Sequence, residues 1–317
     1  MFRVSGACAR RSLAALRGTL NWMTPRKTFL LKLRSGKLTL GKRTLVMGVL
    51  NVTPDSFSDG GRFFQTQNAA KAALAMERAG ADLLDIGAES TRPGSEGISA
   101  AEELRRLLPV LQALRGRLKI PISVDTQKAS VAEMALGAGA EILNDISGLK
   151  NDPRMAEVAA RFGAPLVLMH MRGTPRTMQK KTFVGDVVRN VVSGLRKSIR
   201  MARRAGVRKS QIIVDPGIGF GKSFAQNYEL LARLAELGKL GYPLLVGTSR
   251  KGFLGATLAR GGKPLPPEKR IWGTAATVAA SILNGAHIVR VHDVEEMAQV
   301  ARVTDAVRHA EFRPRNT

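Results

Sequence analysis

From Leu45 onward the apolar residues of this chain fall into two alternating kinds of run. Short aliphatic and β-branched stretches of four to six residues recur eight times, at Leu45–Leu50, Asp82–Ile86, Pro121–Val124, Glu141–Ile146, Pro165–Met169, Gln211–Val214, Pro243–Val246 and Ala286–Val291. Apolar residues at consecutive positions are what a strand buried on both faces requires, as in a parallel sheet. Between them lie longer stretches with helical spacing: Thr66–Ala79, Ala100–Leu114, Lys128–Leu136, Pro153–Phe162, Phe183–Arg203, Phe224–Leu237, Glu268–Asn284 and Val294–Val307. Gly80, Gly139, Gly163, Gly206 and Gly285 stand where helices should end, as left-handed caps.

Eight strand–helix units in about 270 residues match the count and size of a (β/α)8 TIM barrel, an α/β fold. A doubly wound open sheet is the alternative. No Gly-x-Gly-x-x-Gly follows the first strand, which weakens a dinucleotide-binding version of it. The expected organisation is one barrel domain over residues 41–310, behind a basic extension of residues 1–40 and before a tail of residues 311–317. The extension is expected to be poorly ordered.

Charge alters this picture at one end only. Residues 1–54 carry eleven Lys/Arg and no Asp or Glu, out of a net charge of +25. The remaining 39 Lys/Arg against 25 acidic residues still leave +14, a field that draws in anions. An Arg-rich, acid-free start with Leu13, Leu16 and Leu20 at helical spacing resembles a mitochondrial presequence. It also fits an upstream bacterial extension with Met23 as the start; cytoplasmic residence is the main expectation and import the minor one. No apolar run approaches the roughly 20 residues that span a bilayer. With 5% aromatic residues and no nucleic-acid module, neither a membrane nor a nucleic-acid partner is expected. Cys8 stands alone, so neither an internal disulfide nor a cysteine cluster for zinc is available.

The active site of such a barrel lies at the C-terminal ends of its strands. Every predicted strand delivers polar groups there: Asn51, then Glu89 to Gly94, Asp125, Asn144-Asp145, His170, Asp215-Pro216-Gly217, Ser249-Arg250-Lys251, and Arg290 with His292. Asp125, Asn144 and Asp215 suit the donor–acceptor edge of a heterocycle, since carboxylates accept from ring N–H and amino groups while an amide does both. Lys251 can donate to a ring carbonyl or nitrogen. Opposite them, Asn51, Arg92, Arg290 and His292 form a candidate anion site, Arg suiting bidentate phosphate contacts. Asn51 can also ligate a hard cation; Mg²⁺ keeps several waters, so one Asn plus phosphate oxygens is enough. Each residue has a plainer reading: Asp125 as a helix cap, Asn144 and Asp215 as turn formers, Arg290 and His292 as structural partners of Asp293 or Glu295. His170 is the weakest candidate, and the Gly217, Gly219, Gly221 series is only weak evidence for a phosphate cradle.

These stretches, taken in order, resemble the dihydropteroate synthase family. They are Gly48 to Gly61 (GVLNVTPDSFSDGG), Asp85 to Gly94 (DIGAESTRPG), Ser123 to Thr126 (SVDT), Asn144 to Gly148 (NDISG), Met169 to Pro175 (MHMRGTP), Asp215 to Gly221 (DPGIGFG), Ser249-Arg250-Lys251, and Arg290 to Asp293 (RVHD). The resemblance covers Leu38 to Arg308. It implies a pterin-binding barrel that joins 6-hydroxymethyl-7,8-dihydropterin pyrophosphate to p-aminobenzoate, with Mg²⁺ as cofactor and with these small molecules and a second copy of the chain as partners. It further implies pterin contacts from Asp125, Asn144, Asp215, Lys251 and Met169. Pyrophosphate would be held by Asn51, Arg92, Arg290 and His292, with Asn51 on the metal. Phe57, Thr91, Pro93, Phe220, Ser249 and Gly252 would line the p-aminobenzoate pocket, and Asp125, Lys251, Arg92 and Asp59 would serve the chemical step. Gly252 departs from a hydroxyl residue found there in many members, leaving a backbone N–H for the carboxylate. The competing readings are a methyltetrahydrofolate:corrinoid methyltransferase, which shares a pterin-binding barrel, and a basic-arm binder of nucleic acid or membrane surfaces.

Overall fold

The computed structural model describes residues 26–53, 62–90, 94–174 and 185–310. A two-stranded antiparallel hairpin comes first, β1 (Phe29–Lys32) and β2 (Lys37–Leu40). Eight parallel strands follow: β3 (Leu45–Asn51), β4 (Leu83–Gly87), β5 (Ile122–Asp125), β6 (Ile142–Asp145), β7 (Leu166–Met169), β8 (Ile212–Asp215), β9 (Leu245–Val246) and β10 (Ile288–Val291). Their order is β8-β7-β6-β5-β4-β3-β10-β9, and a parallel bridge from Val214 to Leu244 joins the two ends into a barrel. The helices wrapped around it are α1 (Arg62–Arg78), α2 (Ala100–Leu114), α3 (Ala129–Ala138), α4 (Met155–Phe162), α5 (Val187–Arg204), α6 (Phe224–Ala232), α7 (Gly252–Thr257), α8 (Ile271–Leu283) and α9 (Val294–His309).

Successive strand residues point to opposite faces, and here each face has its own task. Val46, Leu50, Leu84, Ile86, Val124, Leu143, Leu166, Leu168, Ile212, Val214, Val289 and Val291 pack outward in one core with the helices. The other parity fills the barrel in layers. Leu45, Met47, Leu83, Ile142, Val167, Ile213, Leu245 and Ile288 form an apolar floor. One step further along the same parity stand Asp85, Ser123 and Asp125, Asn144, Met169, Asp215 and Arg290. The barrel interior is therefore greasy at one end and charged at the other.

The hairpin corrects the expected domain boundary. Leu31 and Leu40 are fully buried against the floor residues, so β1 and β2 close the N-terminal end of the barrel. Burying each such side chain stabilises the fold by about 1.5–3 kcal/mol. Arg26 is tied in as well. Its guanidinium donates to Thr44 Oγ1 and the Ala286 carbonyl at 2.6 Å and pairs with Asp305 at 2.6 Å. Residues 26–40 thus belong to the barrel domain, whereas residues 1–25 and 311–317 lie outside the described residues.

Helix ends follow local chemistry. The five expected glycine caps all have positive φ, from 66° at Gly163 to 121° at Gly139. The helix expected from Phe183 starts at Val187 instead, behind Asp186, whose carboxylate accepts the Arg189 N–H. The stretch expected as one helix to Leu237 ends at Ala232 and continues as a 3₁₀ segment, Leu234–Leu240. At that break Arg233 pairs with Asp186, Glu229 and Glu236. No helix among the described residues is long and apolar enough to cross a membrane.

Candidate active site

Four strands contribute to one buried network at the C-terminal mouth. Arg290 donates through Nε to Asp85 Oδ2 at 2.6 Å and through Nη2 to Asp125 Oδ2 at 2.9 Å. Asn144 Nδ2 donates to the same Asp85 oxygen at 2.9 Å. Arg290 is therefore not opposite the carboxylates, as the sequence suggested, but among them. Long side chains on the narrow interior of an eight-stranded barrel reach across it. Asp85 was not singled out as a site residue from the sequence. The available signal was a carboxylate at an inward position of an otherwise apolar strand, inside a quoted motif.

The electrostatics of this layer are strongly perturbed. Burial, reinforced by Asp85 and opposed by Arg290, pushes the Asp125 carboxyl up to about 7. Burial also lifts Asp215 to about 6, against the Gly217 N–H that donates to its Oδ1 at 2.7 Å. Burial and then the Arg290 charge bring Lys251 down to about 8. For Arg290 itself burial works to lower the pKa, and the Asp85 and Asp125 charges overcome it and raise it. Acids lifted and a lysine lowered toward neutrality in one cleft are characteristic of working sites.

Lys251 Nζ lies 4.0 Å from the centre of the Phe220 ring, a cation–π contact. Phe220 in turn packs on Ile146, Met169 and Met171, giving an apolar wall beside the charged layer. The Ser249-Arg250-Lys251 stretch splits three ways. Ser249 Oγ accepts the His292 N–H at 3.2 Å and lies 3.0 Å from its Nδ1. Arg250, at φ 58°, turns to Asp293, and only Lys251 reaches Phe220. Asp293 thus makes its ion pair with Arg250. Burial holds His292 down to about 3, so its imidazole is neutral at physiological pH. Gly252 opens α7, and a Cβ there would meet no atom within 4 Å.

Asn51 ends β3, half-buried, beside Gly87. A Cβ on Gly87 would stand 3.8 Å from Asn51 Oδ1 and 3.5 Å from Asp125 Cβ, in ordinary contact with both, so Gly87 lies between the two side chains. Among the described residues no group of three or more His, Cys, Asp or Glu could hold a metal by itself. The donor set around Asn51 fits a magnesium ion carried on phosphate oxygens, which needs one protein oxygen.

Two weaker candidates resolve as structural. His170 is buried with its ring packed on Gly194, and burial lowers its pKa to about 2. Gly217, Gly219 and Gly221 all have positive φ, and at Gly217 a Cβ would lie 2.0 Å from the His170 carbonyl oxygen. Gly217 and Gly221 let two loops touch, and Gly219 lies against the Lys251 side chain. Phe57, Asp59, Thr91, Arg92 and Pro93 lie outside the described residues.

A barrel with this charged mouth defines a pterin-binding class of enzyme. The family model described as pterin binding enzyme matches residues 47–292. The dihydropteroate synthase of Synechocystis is 52% identical over 267 residues, 84% of this chain and 91% of its own length. That of Escherichia coli is 46% identical over 261 residues, 82% and 90% of the two chains. The structure of Xanthomonas albilineans dihydropteroate synthase with 4-aminobenzoic acid superposes with a TM-score of 0.83 at 41% identity, covering 90% of this chain and 100% of that one. The chain belongs to the dihydropteroate synthase family of pterin-binding enzymes.

Proposed function

We propose that this chain condenses 6-hydroxymethyl-7,8-dihydropterin pyrophosphate with p-aminobenzoate, giving 7,8-dihydropteroate and pyrophosphate. The observation that carries this reading is the inward polar layer of Asp85, Asp125, Asn144, Asp215 and Arg290, roofed on one side by Lys251 over Phe220. The Clostridium difficile dihydropteroate synthase solved in the presence of pteroic acid supports it, with a TM-score of 0.79 at 47% identity over 84% of this chain and 98% of that one.

In this reading Asp125, Asn144 and Asp215 receive the ring N–H and amino groups of the pterin, with Met169 along its face and Lys251 donating to its edge. A pterin lacking those groups would leave buried polar atoms unpaired, which gives selectivity. Arg290 is already balanced by two carboxylates, so it holds pyrophosphate by exchanging part of that pairing for phosphate oxygens. His292, neutral when empty, gains a proton beside a dianion. Arg92 and Asn51 complete the anion site. Asn51 is the residue that would hold a magnesium ion, which would supply neutralisation of the leaving group's charge.

The C–O bond to pyrophosphate then breaks, and the pterin methylene carbon becomes cationic. Asp125, ionised above its raised pKa, stabilises that charge across a water-poor site. The aryl amine of p-aminobenzoate, beside Phe220 in a pocket to which Phe57, Thr91 and Pro93 also contribute, forms the new C–N bond to the methylene carbon and gives up one N–H proton to the released pyrophosphate. Ser249 acts on this pocket through His292, and Gly252 leaves its N–H for the carboxylate. Asp59 serves the chemical step from the first loop. The enzyme works in the cytoplasm as a homodimer; exposed Trp272, Val303 and Val307 support an apolar contact surface.

A coupled assay of pyrophosphate release tests the function. Asp125→Ala and Lys251→Ala should each lose at least a hundredfold in kcat/KM. Full turnover in both variants, or methyl transfer without pyrophosphate release, would overturn the reading.

A further inference from the structure

Lys222 is a buried cation that the reaction above does not use. It is 5% exposed, and its ammonium meets only neutral partners: the carbonyls of Gly217 at 2.8 Å, Phe220 at 3.0 Å and His170 at 3.1 Å, with His170 Nδ1 at 3.2 Å. An ammonium has three N–H donors, and three carbonyls satisfy them. Burying an amine whose direct contacts are all neutral is costly: burial brings Lys222 down to about 7 even with the Asp215 charge nearby, and the carbonyls it gathers are what offsets that cost.

The three carbonyls come from two loops. His170 follows β7, while Gly217 and Phe220 belong to the loop after β8. These loops touch closely, as the 2.0 Å approach of a Gly217 Cβ to the His170 oxygen shows, and Gly221 would meet the Arg172 oxygen at 2.6 Å. Three carbonyl dipoles converging on one point repel each other unless a cation sits there. The β8 loop also carries Phe220, whose ring lies under Lys251 Nζ. Three positive-φ glycines within five residues leave this loop's backbone open to other conformations, so contacts must fix its shape.

We propose that Lys222 is a positioning residue for the second substrate: its ammonium ties the carbonyls of His170, Gly217 and Phe220 together and so fixes the Phe220 ring beneath Lys251. It touches neither substrate and acts through Phe220. The assignment of Phe220 to the p-aminobenzoate pocket rests on the function proposed above.

Steady-state kinetics of Lys222→Met, Phe220→Ala and the double variant test it. Lys222→Met should raise KM for p-aminobenzoate at least tenfold and leave KM for the pterin pyrophosphate within twofold. The double variant should be no worse than the poorer single variant within twofold, because both act through one ring. Equal rises in both KM values, no rise for p-aminobenzoate, or multiplying effects would overturn the proposal. Should Lys222→Met fail to fold, Lys222→Gln keeps neutral donors, and its KM values must show the same split in smaller degree; unsplit values overturn it equally. A readout without turnover is hydrogen exchange of the 217–222 amides, expected to quicken at least tenfold in either variant while the barrel strands stay protected. Unchanged exchange in this loop would refute the positioning role. A wild-type chain that releases no pyrophosphate would refute the proposed function instead.

Discussion

Replacing Asp125 with Asn should make the protein more stable at alkaline pH while costing it activity. Burial lifts the Asp125 carboxyl to about 7 from its ordinary value of 3.8, even with Arg290 beside it. A raised folded-state pKa means that the group's contribution is fully present below the unfolded value and is lost as pH rises through about 7. The gap of about three pH units, at about 1.4 kcal/mol each, puts roughly 4 kcal/mol of lost stability above pH 8. At pH 5 only about 2 kcal/mol of this is felt. Asn is never ionised and keeps an oxygen to accept from Arg290 Nη2. It gives up a charge-assisted bond in exchange, worth about 2 kcal/mol. The expected result is a variant about 2 kcal/mol more stable than wild type at pH 8 and about equal to it at pH 5. Urea denaturation at the two pH values reads this directly, and pyrophosphate release shows the accompanying loss of kcat. A stability difference that is the same at both pH values, or a variant less stable at pH 8, would refute the argument that Asp125 bears a burial penalty.

Other expectations follow from the same geometry. Leu31→Ala should cost about 2–5 kcal/mol in a denaturation experiment, and Leu30→Ala, on the half-exposed side of the same strand, under about 1 kcal/mol; deletion of residues 1–22 should leave turnover intact. Arg26→Met leaves Asp305 buried without its cation and should cost about 3–5 kcal/mol, measured by urea titration. Gly217→Ala, with positive φ and no room for a Cβ, should fold poorly or melt far below wild type, while Gly252→Ser should melt like wild type and bind p-aminobenzoate no more weakly by calorimetry. Chelation of magnesium should stop pyrophosphate release, and added Mg²⁺ should restore it; turnover in excess chelator would remove Asn51 from its metal role.

Much of the site was legible because strand ends carry function and strand middles carry packing. Asp125 and Asp215 terminate aliphatic runs, Asn144 and Arg290 stand one residue before the ends of theirs, and Lys251 follows in the loop after another, so the eight runs locate the barrel mouth without coordinates. What was misjudged shares a cause. Asp85 sits one layer deeper than the strand ends, and only the inward parity of β4 reveals that it belongs to the network. The hairpin of residues 29–40 has two four-residue strands, only the second of them polar at alternate positions, too short to signal its packing; its two buried leucines matter because the barrel floor needs covering. Lys222 reads in the sequence as one more surface cation.

The sequence by itself determined the eight barrel strands and their order, the α/β class, the helix-ending glycines and the end of the barrel that bears the chemistry. These are local properties, set by hydrophobic period, backbone preference and residue type within a few positions. Only the tertiary structure decided which charges meet. Arg290 bridges Asp85 and Asp125 across 205 and 165 residues of chain, and Lys222 gathers carbonyls from two loops. Such pairings depend on the closure of the barrel, which brings strands distant in sequence within one side-chain length, and on burial, which makes each charge find a partner there.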